Sequence, residues 1–271
     1  MFFLEIDKLL DLMKFSILIT SYNKSEYIEK TINSCLNQTE VNFEVILCDN
    51  FSTDQTESII QKYSKNISII RKKKISEYAP LNQTDLLISA FQKSSGDIIC
   101  LLDGDDSFYE NKLAEVKRIF LENEDIDLVF DIPIIKKGNI EKKFILKKKS
   151  SKYIWPTIIP TSCISLKRDF MKECISNYLV DEFKHLEVDL KLNIISQNIK
   201  KNFKFSDKRI TIYQNVENSI MTNNKKFCSN WWAKRAEAHA YIKKVYLINN
   251  LKYKSGIDAH LTNIINKVLN K

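Results

Sequence analysis

FSILITSYNKSEYIEKTINSCL, residues 15–36, changes hydrophobic period halfway along. Its first six residues form a short apolar run of the kind a buried strand presents. The run stops at Ser21-Tyr22-Asn23, where Asn23 and Glu26 have the spacing of a helix N-cap and its capping-box partner. Tyr27, Ile28, Thr31, Ile32, Cys35 and Leu36 then recur at helical spacing. The same strand-then-helix grammar repeats downstream. FEVILC (43–48) ends at Asp49-Asn50, and Ser52-Thr53-Asp54-Gln55 opens another helix. ISII (67–70) is a third strand, and Leu86, Leu87, Ala90 and Phe91 mark a helix face that ends before Gly96. DIICLL (97–102) runs into Asp103-Gly104-Asp105-Asp106, followed by a helix near 110–121 and the run DLVF (127–130). Short strands alternating with helical segments predict an α/β fold, a mainly parallel sheet flanked by helices on both faces.

Beyond about residue 150 the pattern is less regular. WPTIIPTSCISL (155–166) reads as a loop with two prolines leading into a short strand. Residues 225–248 carry Trp231, Trp232, His239 and Tyr246 at helical spacings, and the C-terminal part reads as mostly helical. At 271 residues, with 44% hydrophobic and 28% charged side chains, the chain can bury a substantial core, which excludes global disorder. No apolar run reaches the roughly 20 residues that span a bilayer. The N-terminal stretch MFFLEIDKLLDLMK has acids inside its apolar run and no basic leader, so it is not read as a signal peptide. Residues 1–12 read instead as an amphipathic addition that docks on the protein or on a membrane. Six cysteines without a CxxC pair predict free thiols, no zinc site and a reducing, cytoplasmic compartment. The net charge of +8 is concentrated at Arg71–Lys74 and Lys142–Lys152. Such runs suit a solvated face or loose association with an anionic membrane, and no nucleic-acid motif accompanies them.

Chemistry is expected where the strands end. Thr20-Ser21-Tyr22-Asn23, Asp49-Asn50 and Asp103-Gly104-Asp105-Asp106 all follow apolar strands, and ligands of open α/β sheets bind at those carboxyl ends. Three aspartates within four residues repel one another unless a cation lies among them. Hard oxygen donors without His or Cys favour Mg²⁺ or Mn²⁺, held with the help of substrate phosphates.

In order, spacing and strand context, FSILITSYNKSEYIEKTINSCLNQ, FEVILCDNFSTDQT and GDIICLLDGDD resemble the family 2 glycosyltransferases of the GT-A fold over residues 14–131. The resemblance implies a Rossmann-like GT-A domain with a helical C-terminal extension. Its parts would be a nucleotide-sugar-binding half (13–131), an acceptor-binding half (132–210) and a helical appendage (211–271). It also implies a nucleoside-diphosphate sugar donor, a UDP-sugar above others, and inverting transfer to a hydroxyl of a bacterial surface polysaccharide or lipid-linked glycan. The enzyme would work in the cytoplasm, peripheral to the inner face of the membrane.

Roles follow by position. Thr20, Tyr22 and Asn23 would line the nucleotide site, with Tyr22 stacking on the base. Asp49 and Asn50 occupy the family's paired-acid position, from which Asn50 departs; a carboxamide still accepts from uracil N3–H but also donates. Asp103, Gly104 and Asp105 would meet the ribose and diphosphate, with Asp103 and Asp105 holding Mn²⁺ or Mg²⁺ and Asp106 as an outer ligand. Where many members carry an Arg or Arg-Asn pair entering the third helix, this chain has Asn82-Gln83-Thr84-Asp85, leaving Lys24, Arg71 or Lys73 to supply positive charge. In HLEVDLKLNI (185–194), Glu187 falls at the general-base position and Asp189 two residues later, with Asp181 and Glu182 as nearby alternatives. Trp155, Thr161 and Ser162 lie in the stretch resembling the acceptor-side loop. His239 reads as structural. Two further readings are a non-catalytic nucleotide-sugar or glycan-binding module on the same fold, and a basic nucleic-acid-binding protein.

Overall fold

A computed structural model describes residues 13–146, 155–180, 182–216 and 226–269. The proposed extension 1–12, the lysine triple 147–149 and the alternative base Asp181 lie outside the described residues. The alternation read from the sequence is realised as β1 (Phe15–Ser21), α1 (Ile28–Leu36), β2 (Phe43–Asp49), α2 (Thr56–Gln61), β3 (Ser68–Arg71), α3 (Ala79–Lys93) and β4 (Ile98–Asp103). Then come β5 (Ser107–Phe108), α4 (Lys112–Glu122), β6 (Leu128–Phe130), β7 (Ile134–Lys137) and β8 (Ile140–Lys143). The second half supplies β9 (Ile164–Lys167), α5 (Arg168–Cys174), α6 (Val188–Ile194), β10 (Phe203–Phe205), β11 (Thr211–Gln214), α7 (Ser229–Ile248) and α8 (Ile257–Leu269).

Seven strands form the main sheet in the order β10-β6-β9-β4-β1-β2-β3. All run parallel except β9, which is antiparallel to both β4 and β6. The central strands are buried on both faces, which is why β1 and β4 read as continuous apolar runs rather than alternating ones. Leu18, Ile46, Leu101 and Ile164 pack on one side with the second-half helices, and Ile17, Ile19, Leu47 and Leu102 on the other with α1 and α4. A smaller sheet, β5-β11-β7-β8, sits beside it.

Two local expectations change. Asn23 does not cap α1: it has a left-handed φ of 51°, and the helix begins four residues beyond the loop with Tyr27 at its N-cap. The left-handed conformation, accessible to asparagine, turns the side chain across to the β2 loop instead. Thr211–Gln214, placed by the sequence at the start of a helical appendage, is a strand that joins β5 and β7. All six cysteines are free thiols. Among the described residues, no helix is long and apolar enough to cross a membrane.

Candidate active site

The ends of β1, β2 and β4 open onto a cavity of about 500 Å³, closed on the far side by the loop before β9, the start of α6 and the end of β11. Neighbouring register puts Thr20 beside Asp103 and Ser21 beside Asp49, so the polar strand ends converge. Thr20, Tyr22, Asn23, Asn50, Asp103, Gly104, Asp105, Thr161, Glu187 and Asp189 all line it. Asp49, Ser162 and Trp155 do not.

Asp49 is buried and accepts hydrogen bonds from the backbone N–H and hydroxyl of Ser52, 2.8 and 2.6 Å away. Ser52 in turn accepts from the Asn23 N–H (2.8 Å), and Asn23 Oδ1 accepts from the Thr53 N–H (2.8 Å). This lattice ties the β1 loop to the β2 loop and leaves Asn50 at the cavity wall. Asn50 Nδ2 donates to the Lys72 carbonyl at 2.9 Å, so Oδ1 is the atom left to accept from a ligand. Lys74 stands 3.6 Å over the ring of Tyr22, beside the same wall.

The acidic turn after β4 divides into three environments. Asp106 is fully buried: Ser162 Oγ donates to it at 2.5 Å and the Gln214 N–H at 2.7 Å. Burial and the neighbouring charges of Asp105 and Asp103 push its carboxyl well above the usual range. It therefore anchors the turn, which removes it as an outer metal ligand. Ser162 is spent on the same task, also accepting from the Asp103 N–H at 3.0 Å, and so cannot touch an acceptor sugar. Asp103 takes bonds from Gln83 Nε2 (2.8 Å) and Thr20 Oγ1 (3.2 Å); burial, then the charge of Asp105, raises it to about 6. Asp105 faces the cavity, paired with Lys24. Gly104 fits because a Cβ there would lie 3.1 Å from the Thr20 carbonyl.

Among the described residues no cluster of three metal-ligating side chains exists. A divalent ion coordinated mainly by phosphate oxygens needs only one or two carboxylates. Asp103 and Asp105, neighbouring hard oxygens that line the cavity, fit that requirement, and a cation there would relieve the repulsion that adds to burial in raising Asp103.

Glu187, which immediately precedes α6, lines the same cavity. Lys234 Nζ from α7 holds its Oε1 at 2.5 Å. Asp189 accepts from the Leu190 N–H (2.6 Å), and burial, with Glu187's charge added, raises it to about 7. Tyr213 of β11 closes the cavity between the two acid groups, its hydroxyl driven up by burial and by four surrounding aspartates.

Trp155 lies elsewhere, packed edge-on against His239 and under Arg235, with Nε1 donating to Asp258 at 3.0 Å. His239 is buried there with Nε2 3.2 Å from Asp258 Oδ2, and burial, opposed by the Asp258 charge, lowers its pKa. Of the cations weighed from sequence, Lys24 lines the cavity, while Arg71 is held by Glu57. Sequence reasoning passed over Gln83, Lys74, Tyr213 and Lys234. Gln83 sits in the stretch that departs from the family pattern and Lys74 ends the basic run Arg71–Lys74; Tyr213 and Lys234 carry no local signal.

A family profile described as "Glycosyl transferase family 2" matches residues 16–174. The chain is 30% identical over 135 residues to the UDP-Glc:alpha-D-GlcNAc-diphosphoundecaprenol beta-1,3-glucosyltransferase WfgD of Escherichia coli, covering 49% of this chain and 51% of that protein. It is 33% identical over 158 residues to an uncharacterized glycosyltransferase of Rickettsia bellii, covering 56% of this chain and 22% of that one. The chain thus spans about half or less of the length of these curated relatives. Among solved structures, TarS residues 1–349 from S. aureus in complex with UDP-GlcNAc superposes with a TM-score of 0.65 at 18% identity, over 95% of this chain and 72% of that one. The mannosyltransferase PcManGT from Pyrobaculum calidifontis, solved with GDP-Man and Mn²⁺, gives 0.55 at 13% identity, over 99% and 76%. At these identities the likeness shows the fold, with both sheets and the C-terminal helices included.

Proposed function

Since this chain belongs to glycosyl transferase family 2, we propose that it moves a sugar from a UDP-sugar to a hydroxyl of a lipid-linked or surface glycan, with inversion at the anomeric carbon. The observation that carries the reading is one cavity lined both by Asp103 and Asp105 from the turn after β4 and by Glu187 and Asp189 from the start of α6. Such an arrangement separates charge handling at a departing diphosphate from proton handling at an attacking hydroxyl.

On the donor side, Tyr22 offers a ring for the base and Asn50 Oδ1 an acceptor. One Nδ2 hydrogen is committed to the Lys72 carbonyl, which orients the carboxamide, and Oδ1 is the acceptor that complements uracil N3–H. Asp103 and Asp105 would hold Mn²⁺ or Mg²⁺, which supplies positive charge to the leaving diphosphate. Lys24, already at Asp105, adds a second positive group within reach of the phosphates.

On the acceptor side, Lys234 fixes Glu187 Oε1 and leaves Oε2 as the base. Glu187 takes the proton of the acceptor hydroxyl as its oxygen forms a bond to the anomeric carbon. The bond from that carbon to the diphosphate breaks on the opposite face, and its electron pair leaves with the nucleotide. Asp189, raised to about 7, is partly protonated near neutrality and in that form can offer a hydrogen bond to a sugar hydroxyl. Thr161 completes the acceptor wall. The E. coli relative, named for a diphosphoundecaprenol-linked acceptor, supports a lipid-linked acceptor here, met at the cytoplasmic membrane surface.

Thermal unfolding with UDP, GDP, CDP and dTDP, each with and without Mn²⁺, tests the donor assignment. Ligand at a hundred times its dissociation constant adds about 2.7 kcal/mol, a rise of roughly 5–10 °C for a chain of this size. A Mn²⁺-dependent rise with UDP is expected. A rise with GDP instead would overturn the uridine assignment, and none with any nucleotide would favour a non-catalytic module.

A further inference from the structure

The last helix presents two faces that ask for different neighbours. On its inner face Ala259 and Thr262 are buried, and α8 packs there along α7. Small residues at these positions let the two helices approach closely. Asp258 in the first turn fastens the helix to the body: Arg235 grips both of its carboxylate oxygens at 2.6 and 2.7 Å, and Trp155 Nε1 donates to one of them. The roll of α8 about its own axis is therefore set from inside.

What that roll turns outward is apolar. Ile257, Leu261, Ile264 and Val268 are 80%, 53%, 60% and 69% exposed. Their i, i+4, i+7, i+11 spacing draws one continuous stripe along the helix, directly opposite Ala259 and Thr262. Leu247, Ile248 and Leu251, at the turn leading into α8, add further exposed apolar surface. Isolated exposed leucines are ordinary, but a stripe on an anchored helix marks a docking surface.

Charge decides among occupants. Residues 240–271 contain six lysines (Lys243, Lys244, Lys252, Lys254, Lys267 and Lys271) and a single acid. That acid, Asp258, is already paired with Arg235. A second copy of the same surface would bring like charges together, whereas an anionic lipid surface would neutralise them while taking up the apolar stripe. We propose that α8 is an interfacial helix that seats this protein on anionic membranes, its stripe entering the headgroup boundary and its lysines flanking it. None of the cavity residues lies on α8, so the inference stands independently of the donor and acceptor chemistry.

Co-sedimentation of the full chain with vesicles tests it without any substrate. Binding is expected to vesicles of about 30% phosphatidylglycerol in phosphatidylcholine, to fall with added salt, and to be weak on phosphatidylcholine alone. Leu261→Ser/Ile264→Ser should weaken the partition at least about tenfold, with circular dichroism and Tm unchanged because both side chains already face solvent. Lys252→Gln/Lys254→Gln/Lys267→Gln should weaken it on the anionic vesicles alone. Wild-type-like binding by the serine variant overturns the proposal. So does loss of binding on deletion of residues 1–12 alone, which would assign the membrane contact to that segment. A dimer by light scattering that the serine variant dissociates, without vesicle binding by the wild type, would make the stripe a protein–protein interface instead.

Discussion

Glu187 has one carboxylate oxygen held by Lys234 and lines the cavity, so the proposed base can be neutralised by an isosteric change that keeps its packing. Glu187→Gln should lower turnover by about 10²- to 10⁴-fold and leave the UDP-induced Tm rise intact, read by UDP release from the donor. Wild-type turnover in this variant would send the search for a base to Asp189. Asn50 offers the complementary test on the donor side. Asn50→Leu leaves uracil N3–H without its acceptor, at a cost of about 1–3 kcal/mol, or roughly a tenfold to hundredfold weaker UDP affinity by calorimetry. Unchanged affinity would remove Asn50 from base recognition.

At the scale of the element, the turn after β4 is instructive because its function depends on parts it does not contain. Ser162, from the loop before β9, and the Gln214 N–H, from β11, hold Asp106 and so set where Asp103 and Asp105 point. Ser162→Ala strands the buried Asp106 carboxyl and the Asp103 N–H, and should cost about 2 kcal/mol, a fall in Tm of roughly 4–8 °C by scanning calorimetry. A neutral effect would mean that the turn holds itself. The same example divides what was legible from what was not. Strand runs, the acidic turn and Glu187 were readable because each is local: a period of hydrophobicity, a charge cluster, an acid before a helix. Ser162 and Trp155 read as acceptor contacts because their loop was recognisable, but a side chain's direction within a loop depends on distant neighbours. Here those are Asp106 for one and Asp258 for the other. Lys234 and Tyr213 left no trace, since nothing in a long helix without a marked apolar face or in a four-residue strand says which side chain faces a cavity built by other elements.

For the whole molecule, acid and alkaline limbs of stability arise from opposite shifts. Glu44 is half-buried, which alone would raise it, yet the Ser95 N–H, the Ser16 hydroxyl and Lys14 hold it at about 2. Its folded pKa lies below its usual value near 4.5, so the stability it contributes is complete above that pH and lost as pH falls towards 2. Asp189 is the reverse case. Its folded pKa is raised from 3.8 to about 7, so the folded state binds the proton more tightly, and stability declines as pH climbs between those values. Asp189→Asn should therefore raise Tm by a few degrees at pH 8 and by less at pH 5, measured by calorimetry across pH. An equal gain at both would show that ionisation of Asp189 is not what limits stability.

The lone antiparallel strand has a consequence for synthesis. β9 is the sole link between β4 and β6 in the main sheet, so β6 and β10 join the other strands only through residues 164–167. A nascent chain that has delivered everything up to residue 131 can assemble β4-β1-β2-β3, but β4, a central strand in the finished protein, still has an open edge. Such an edge invites pairing with a neighbouring chain. Ribosomes loading one message at high density would bring such half-made chains together during the interval before β9 emerges. Expression fragments cut at residue 131 should accordingly precipitate, and those extended through α5 should not. The first half, recognisable by itself in the sequence, has β4 covered only when β9 from the second half pairs with it.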